Sequence, residues 1–147
     1  MRLTLSTKYA LLALEELARR GRPAPARELA AAADIPPAYL AKLVPLLARA
    51  GILATQRGRG GGVALARPAQ TLSLKEIIEA VEGPEALQDC PFELAPCAGD
   101  PRCPLYPVWD PLRARLVAFL AQTSLAEVVR RTQRPKEEKD ERNAERP

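Results

Sequence analysis

The chain has 147 residues, a net charge of +4 and no histidine. That length supplies one domain with a modest core, or a domain and an arm. Without histidine, a serine–histidine–aspartate triad, an imidazole proton shuttle and histidine-ligated zinc are excluded. No apolar run approaches the roughly 18 residues of a membrane span, so no membrane association is expected. Residues 1–68 hold eleven Lys and Arg against four acidic residues, a net +7, which leaves −3 for the remainder. A basic half is the footprint of nucleic-acid binding, although a solvated surface has the same charge count. The opening MRLTLSTKYALL lacks the pattern of a secretory leader. Three cysteines, an odd number, do not read as a secreted disulfide framework, and a cytoplasmic protein is expected.

Residues 5–20, LSTKYALLALEELARR, predict a helix capped by Ser6 or Thr7, supported by Glu15–Arg19 and Glu16–Arg20 pairs and ended by Gly21. Its middle, Ala10–Leu14, is apolar all round, which predicts burial on two sides. Pro25 opens a short helix through Ala33, and Ala33–Pro36 is a tight connection. Residues 37–50 predict a third helix closed by Gly51, with Leu40, Leu43, Leu46 or Leu47, and Ala50 inward. Ala38, Ala41, Lys42, Pro45 and Arg49 face outward. Pro45 should remove a backbone hydrogen bond and bend this helix. Two short helices about a tight turn make a helix-turn-helix.

Residues 52–55 and 63–66 are strand-like and flank QRGRGGG, which predicts a hairpin with a basic, glycine-rich tip. After a helix-turn-helix such a hairpin is a wing; a phosphate-binding loop lacks support because the Gly-Lys-Ser/Thr ending and a following helix are missing. Ser73–Glu76 is a capping box that starts a helix to Glu82 and Gly83. From about 108 to 121, Trp109, Leu112, Leu116, Phe119 and Leu120 predict one buried helical face, with Arg113 and Arg115 off it. Because the winged unit is complete before this helix, a two-fold partner is the economical way to cover that face. Ser124–Glu127 is a second capping box, introducing a last helix through about Arg131. The tail from Thr132, apart from one alanine, has no apolar residue and is expected to be disordered.

Residues 88–107, QDCPFELAPCAGDPRCPLYP, contain Cys90, Cys97 and Cys103 with five interleaved prolines. Such a run predicts an irregular loop that folds around something else. Thiolates suit iron–sulfur clusters and zinc alike, but neither gap matches the C-x₂₋₄-C pairs of structural zinc sites. Three thiolates with one incomplete position suit an iron–sulfur cluster, of two or four irons, whose open iron is reached by a small ligand or an oxidant. Candidates for a fourth ligand are Glu93, Asp100, Asp89, Tyr106 or no protein group. The alternatives are a thiol switch, in which two cysteines form a disulfide, and three small core residues. No enzyme chemistry is expected, since there is no paired-carboxylate cleft and no cofactor motif.

The opening MRLTLSTKYALLAL, IPPAYLAKLVPLLARAGIL, the wing QRGRGGGVALARP, SLKEIIEAVEG, the three-cysteine loop and the Trp109 helix together resemble the IscR/NsrR family of winged-helix transcription regulators. The likeness runs from residue 1 to about 131. It implies a homodimeric regulator, most simply a repressor, that binds double-stranded DNA at a palindromic operator and whose cluster reports redox state, iron or nitric oxide. Pro36-Pro37-Ala38 replaces a start of the third helix that is often polar in the family, and Ala41 stands where some relatives carry a base-contacting acid. The first cysteine gap is one residue longer. Tyr106 stands where some relatives have a histidine ligand, and Lys8 where others lend a carboxylate from the partner.

The expected fold is mainly α with a small β-hairpin wing and a long C-terminal dimerisation helix. The expected divisions are 1–67 for the winged DNA-binding domain, 68–87 for a connecting helix, 88–107 for the cluster loop, 108–131 for the dimerisation and terminal helices, and 132–147 for the tail. The expected DNA-binding residues are Ala38, Tyr39, Lys42 and Arg49 on the third helix and Arg57 and Arg59 in the wing, with Arg57 the most consequential. An effector-binding winged-helix protein without a cluster is the alternative.

Overall fold

The computed structural model describes residues 3–90 and 102–132. Helix α1 (Leu5–Arg20) is capped by Thr4, not by Ser6 or Thr7: the Thr4 side chain accepts from the Ser6 amide, and both sequence candidates lie inside the helix. Gly21 ends it in the left-handed conformation. Ala10, Ala13 and Leu14 are buried and Leu11 and Leu12 half-buried, because α1 is packed by other elements on several sides.

Helices α2 (Ala26–Ala32) and α3 (Pro37–Arg49) form the helix-turn-helix, joined through Asp34 at φ 53. Helix α3 continues through Pro45 to Arg49 and buries Leu40, Leu43 and Leu47. Pro45 is exposed, so its ring points away from the core. Strands β1 (Leu53–Gln56) and β2 (Gly62–Leu65) pair antiparallel, Leu53 opposite Leu65 and Gln56 opposite Gly62. The hairpin lies one residue from the sequence expectation at each strand. It is also tied to the α1–α2 turn, where Ala24 and Val63 exchange two backbone hydrogen bonds of 2.9 and 2.8 Å.

A short 3₁₀ turn (Ala69–Thr71) leads to α4 (Leu74–Glu82). Helices α5 (Tyr106–Gln122) and α6 (Leu125–Thr132) follow. Both capping boxes are formed. The Ser73 amide donates to Glu76 Oε2 (2.9 Å) and the Ser124 amide to Glu127 Oε2 (2.8 Å), while each serine Oγ accepts the amide three residues on. The two boxes sit side by side: Leu74 N donates to Thr123 O (2.9 Å) and Leu125 N to Leu72 O (2.8 Å). Leu72, Ile77, Leu125 and Val129 thereby join the same core as the helix-turn-helix and the wing. At the end of α6, Thr132 Oγ1 donates to Glu15, which also accepts from Arg19.

The expected single buried stripe on α5 is instead two faces. Leu116, Val117 and Leu120 pack with Ile78 and Leu87 in a second, small cluster. Leu105, Val108, Leu112 and Phe119 are 40%, 67%, 53% and 53% exposed, so they belong to a different surface. The 3.6-residue period places the two faces roughly 100° apart, and the shared 3/4 spacing blends them in a linear reading. The helix also begins at Tyr106, two residues earlier than expected, with Pro107 tolerated in its first turn. Cys97, Glu93, Asp100 and the tail from residue 133 lie outside the described residues.

Candidate nucleic-acid interface and cysteine segment

The outward side of α3 is as its pattern predicts: Ala38, Ala41, Lys42, Pro45 and Arg49 are all exposed. Small side chains at 38 and 41 let the helix backbone approach a groove closely. Arg57 and Arg59 are exposed at the wing tip. Among the described residues none of Lys42, Arg49, Arg57 and Arg59 is in an ion pair, whereas Arg19, Arg20 and Arg67 are. Four unpaired cations on the helix face and wing are available to phosphates.

Tyr39 has a different place. It is half-buried, its ring meets Tyr9 edge-on at 4.9 Å, and its hydroxyl is 2.8 Å from Ser6 Oγ. This side chain holds α3 against the start of α1. Its hydroxyl is committed within the protein.

The same start of α1 is held from the other side by Glu82, the last residue of α4. Glu82 Oε1 accepts from Thr4 N (3.1 Å), Thr4 Oγ1 (2.5 Å) and Thr7 Oγ1 (2.5 Å). Burial works to raise its pKa, but the donors on Thr4 and Thr7 outweigh it and hold the carboxyl below its ordinary 4.5. Backbone donation from Ser73, and then Arg67, lowers Glu76 likewise. Both groups have depressed folded pKa values, so their contribution is complete above the ordinary carboxylate range and is lost as pH falls below about 4.5. Urea unfolding of a Glu82→Gln chain should therefore show a shallower loss of stability between about pH 5 and pH 3 than the parent. Parallel curves would remove Glu82 from the acid response.

Residues 83–90 carry the chain from Glu82 to Cys90. The turn is closed by Ala86 N to Gly83 O (3.2 Å), Gln88 N to Glu85 O (2.9 Å) and Asp89 N to Glu85 O (3.1 Å). Leu87 is fully buried, and Arg113 of α5 donates to both Gln88 O and Gln88 Oε1 at 3.2 Å. Cys90 is buried. Cys103 is half-buried and precedes α5, its carbonyl accepting from Tyr106 N (3.1 Å). Of the expected cysteine ligands, these two bracket the segment that contains Cys97. Among the described residues no three side chains of metal-ligating type come together. Asp89 and Tyr106 are half-buried beside the two cysteines in sequence, and Lys8 is exposed on α1. The Glu82 cluster and the Ala24–Val63 bridge were not anticipated from the sequence.

The family described as "Rrf2: Iron-dependent Transcriptional regulator" matches residues 3–131. The chain belongs to the Rrf2 family. Rrf2 relatives include an HTH-type transcriptional regulator of Mycobacterium tuberculosis, 34% identical over 88% of this chain and 81% of its own length. The HTH-type transcriptional regulator IscR of Xenorhabdus nematophila is 32% identical over 88% of this chain and 80% of its own. Among solved structures, the fold matches CymR, the global cysteine regulator of B. subtilis, with a TM-score of 0.74 over 88% of this chain and 96% of that one, at 22% identity. It also matches T. potens IscR at a TM-score of 0.70, covering 90% and 89% of the two chains at 20% identity. Rrf2 membership makes this protein a DNA-binding transcriptional regulator and not an enzyme, and no helix among the described residues is long and apolar enough to cross a membrane.

Proposed function

We propose that this chain is a homodimeric repressor whose grip on a palindromic operator is set by an iron–sulfur cluster on Cys90, Cys97 and Cys103. The observation that carries this reading is the pair Cys90 and Cys103, placed at the two ends that feed α4 and α5 of an Rrf2 fold. Thiolates are the donors such a cluster takes, so the donor type fits that chemistry. When bound, the cluster supplies a centre that reacts with oxidants or nitric oxide. The protein's own part is to hold the thiols in a segment tethered by Leu87 and Arg113. On DNA, α3 enters the major groove, Lys42 and Arg49 meet phosphates, and Arg57 and Arg59 reach the backbone or the minor groove. Tyr39 orients α3 from within. With alanines at 38 and 41, much of the sequence preference comes from the wing and from DNA shape.

A second reading, a cluster-free regulator that oxidises two of its thiols, draws support from the fold shared with CymR, a global cysteine regulator. Iron, sulfide and zinc content of anaerobically purified protein, with its visible spectrum, separates the two. Iron and sulfide in matching amounts, and an operator affinity that changes when air bleaches the chromophore, are expected. Metal-free protein whose operator affinity responds to a disulfide would replace the cluster with the thiol switch.

A further inference from the structure

We infer that Glu82 is the positioning residue through which the cysteine segment sets the pose of α3. This rests on the reading that the cysteine segment governs DNA binding, and it names how. The path is built of contacts on both sides of one carboxylate. Towards the cysteines, Glu82 is followed by a turn with no slack: three backbone hydrogen bonds close it, Leu87 anchors it between α4 and α5, and Arg113 grips Gln88 two residues before Cys90. A shift of Cys90 is therefore delivered to the end of α4 and is not absorbed on the way.

Towards the DNA side, one oxygen of Glu82 gathers three donors from Thr4 and Thr7. Those donors are the cap and first turn of α1. Ser6 lies between them, bonded through its amide to Thr4 and through its hydroxyl to Tyr39. Tyr39 is in the first turn of α3, packed on Tyr9. Glu82 and Tyr39 are thus joined by hydrogen bonds through the cap and first turn of α1. A carboxylate accepting several charge-assisted bonds holds its donors more firmly than a neutral group does. Discrete hydrogen-bond arrangements of this kind transmit a displacement, where a fluid contact would dissipate it.

The test uses the full chain and a substitution that must disturb the segment, Cys90→Asp, which puts a charge where a buried thiol sits. Amide hydrogen exchange is followed at Ser6, Lys8, Tyr39 and Leu40, with Leu29 and Ala54 as references outside the path. Cys90→Asp should speed exchange at the four path amides by about tenfold relative to the references. Adding it to a Glu82→Ala chain, or to the milder Thr7→Val chain, should change those amides by less than about twofold. No response in the parent chain, or an equal response with and without Glu82, overturns the inference. Operator affinity measured on the same samples keeps the two readings apart. If exchange behaves as expected while affinity ignores Cys90→Asp, the proposed function falls and the Glu82 connection stands. If affinity responds while the path amides do not, the connection falls alone.

Discussion

Gly62→Ala should cost about 3–5 kcal/mol, a large share of the stability of a domain this size. Gly62 has φ 135, and a Cβ there would stand 2.2 Å from the carbonyl oxygen of Ala24 and 2.5 Å from its carbon. The neighbour is backbone, held by the Ala24–Val63 bridge, so it cannot step aside without releasing two hydrogen bonds that dock the wing. Roughly 1–3 kcal/mol of backbone strain and about 1 kcal/mol for each lost bond make up the expected range. The neighbouring glycines provide the control. Gly60 has φ 71 and open space, so Gly60→Ala should cost about 1 kcal/mol. Gly61 has no positive φ, yet a Cβ would meet the Gln56 carbonyl at 2.5 Å, which places it between the two. Urea midpoints of the three alanine variants should fall in that order, Gly62 most affected. Equal midpoints for Gly62→Ala and Gly60→Ala would show that the docking bridge contributes nothing. Operator affinity should follow the same order, because the undocked hairpin no longer aims Arg57 and Arg59.

The run of glycines is thus readable as a turn but not as three different requirements, because what makes Gly62 obligatory is a carbonyl 38 residues earlier in the chain. The same limit recurs elsewhere. Both capping boxes and the five outward positions of α3 depend on residues three or four apart, and local periodicity exposes them. The cap of α1 was misplaced by two or three residues because several hydroxyl residues compete there. The choice of Thr4 is settled by Glu82, which reaches it from 78 residues away. Tyr39 could be placed on α3 from sequence, but not recognised as a half-buried partner of Ser6 and Tyr9. Of the three cysteines that spacing and composition group together, Cys90 and Cys103 lie among the described residues and Cys97 does not. The motifs that resemble the IscR/NsrR family lie within the span that matches the Rrf2 family, and CymR and T. potens IscR share the fold.

Replacing both Leu112 and Phe119 by Asp should yield a monomer that loses operator affinity by at least about 100-fold while keeping its fold. The positions 105, 108, 112, 115 and 119 alternate at spacings of three and four, the seam of a pair of supercoiled helices. Four of the five are large hydrophobics left 40–67% exposed, and Arg115 interrupts them. Isolated exposed leucines are ordinary, but four large hydrophobics along one helical seam mark an association surface. The opposite face of α5 already packs on Ile78 and Leu87, so the seam is left uncovered among the described residues. In the proposed homodimer a second copy would cover it, and self-pairing would relate the two α3 helices by one two-fold axis. Two linked half-sites bind far more tightly than one, by a factor of about 10²–10⁴, so the monomer forfeits that gain. Circular dichroism and the urea midpoint should stay near the parent's values, since both side chains are already in water in the single chain. Sedimentation should show half the mass. A variant that remains dimeric with both aspartates in place would move the interface off α5, and a variant that is monomeric yet binds the operator as before would end the two-fold account of DNA recognition.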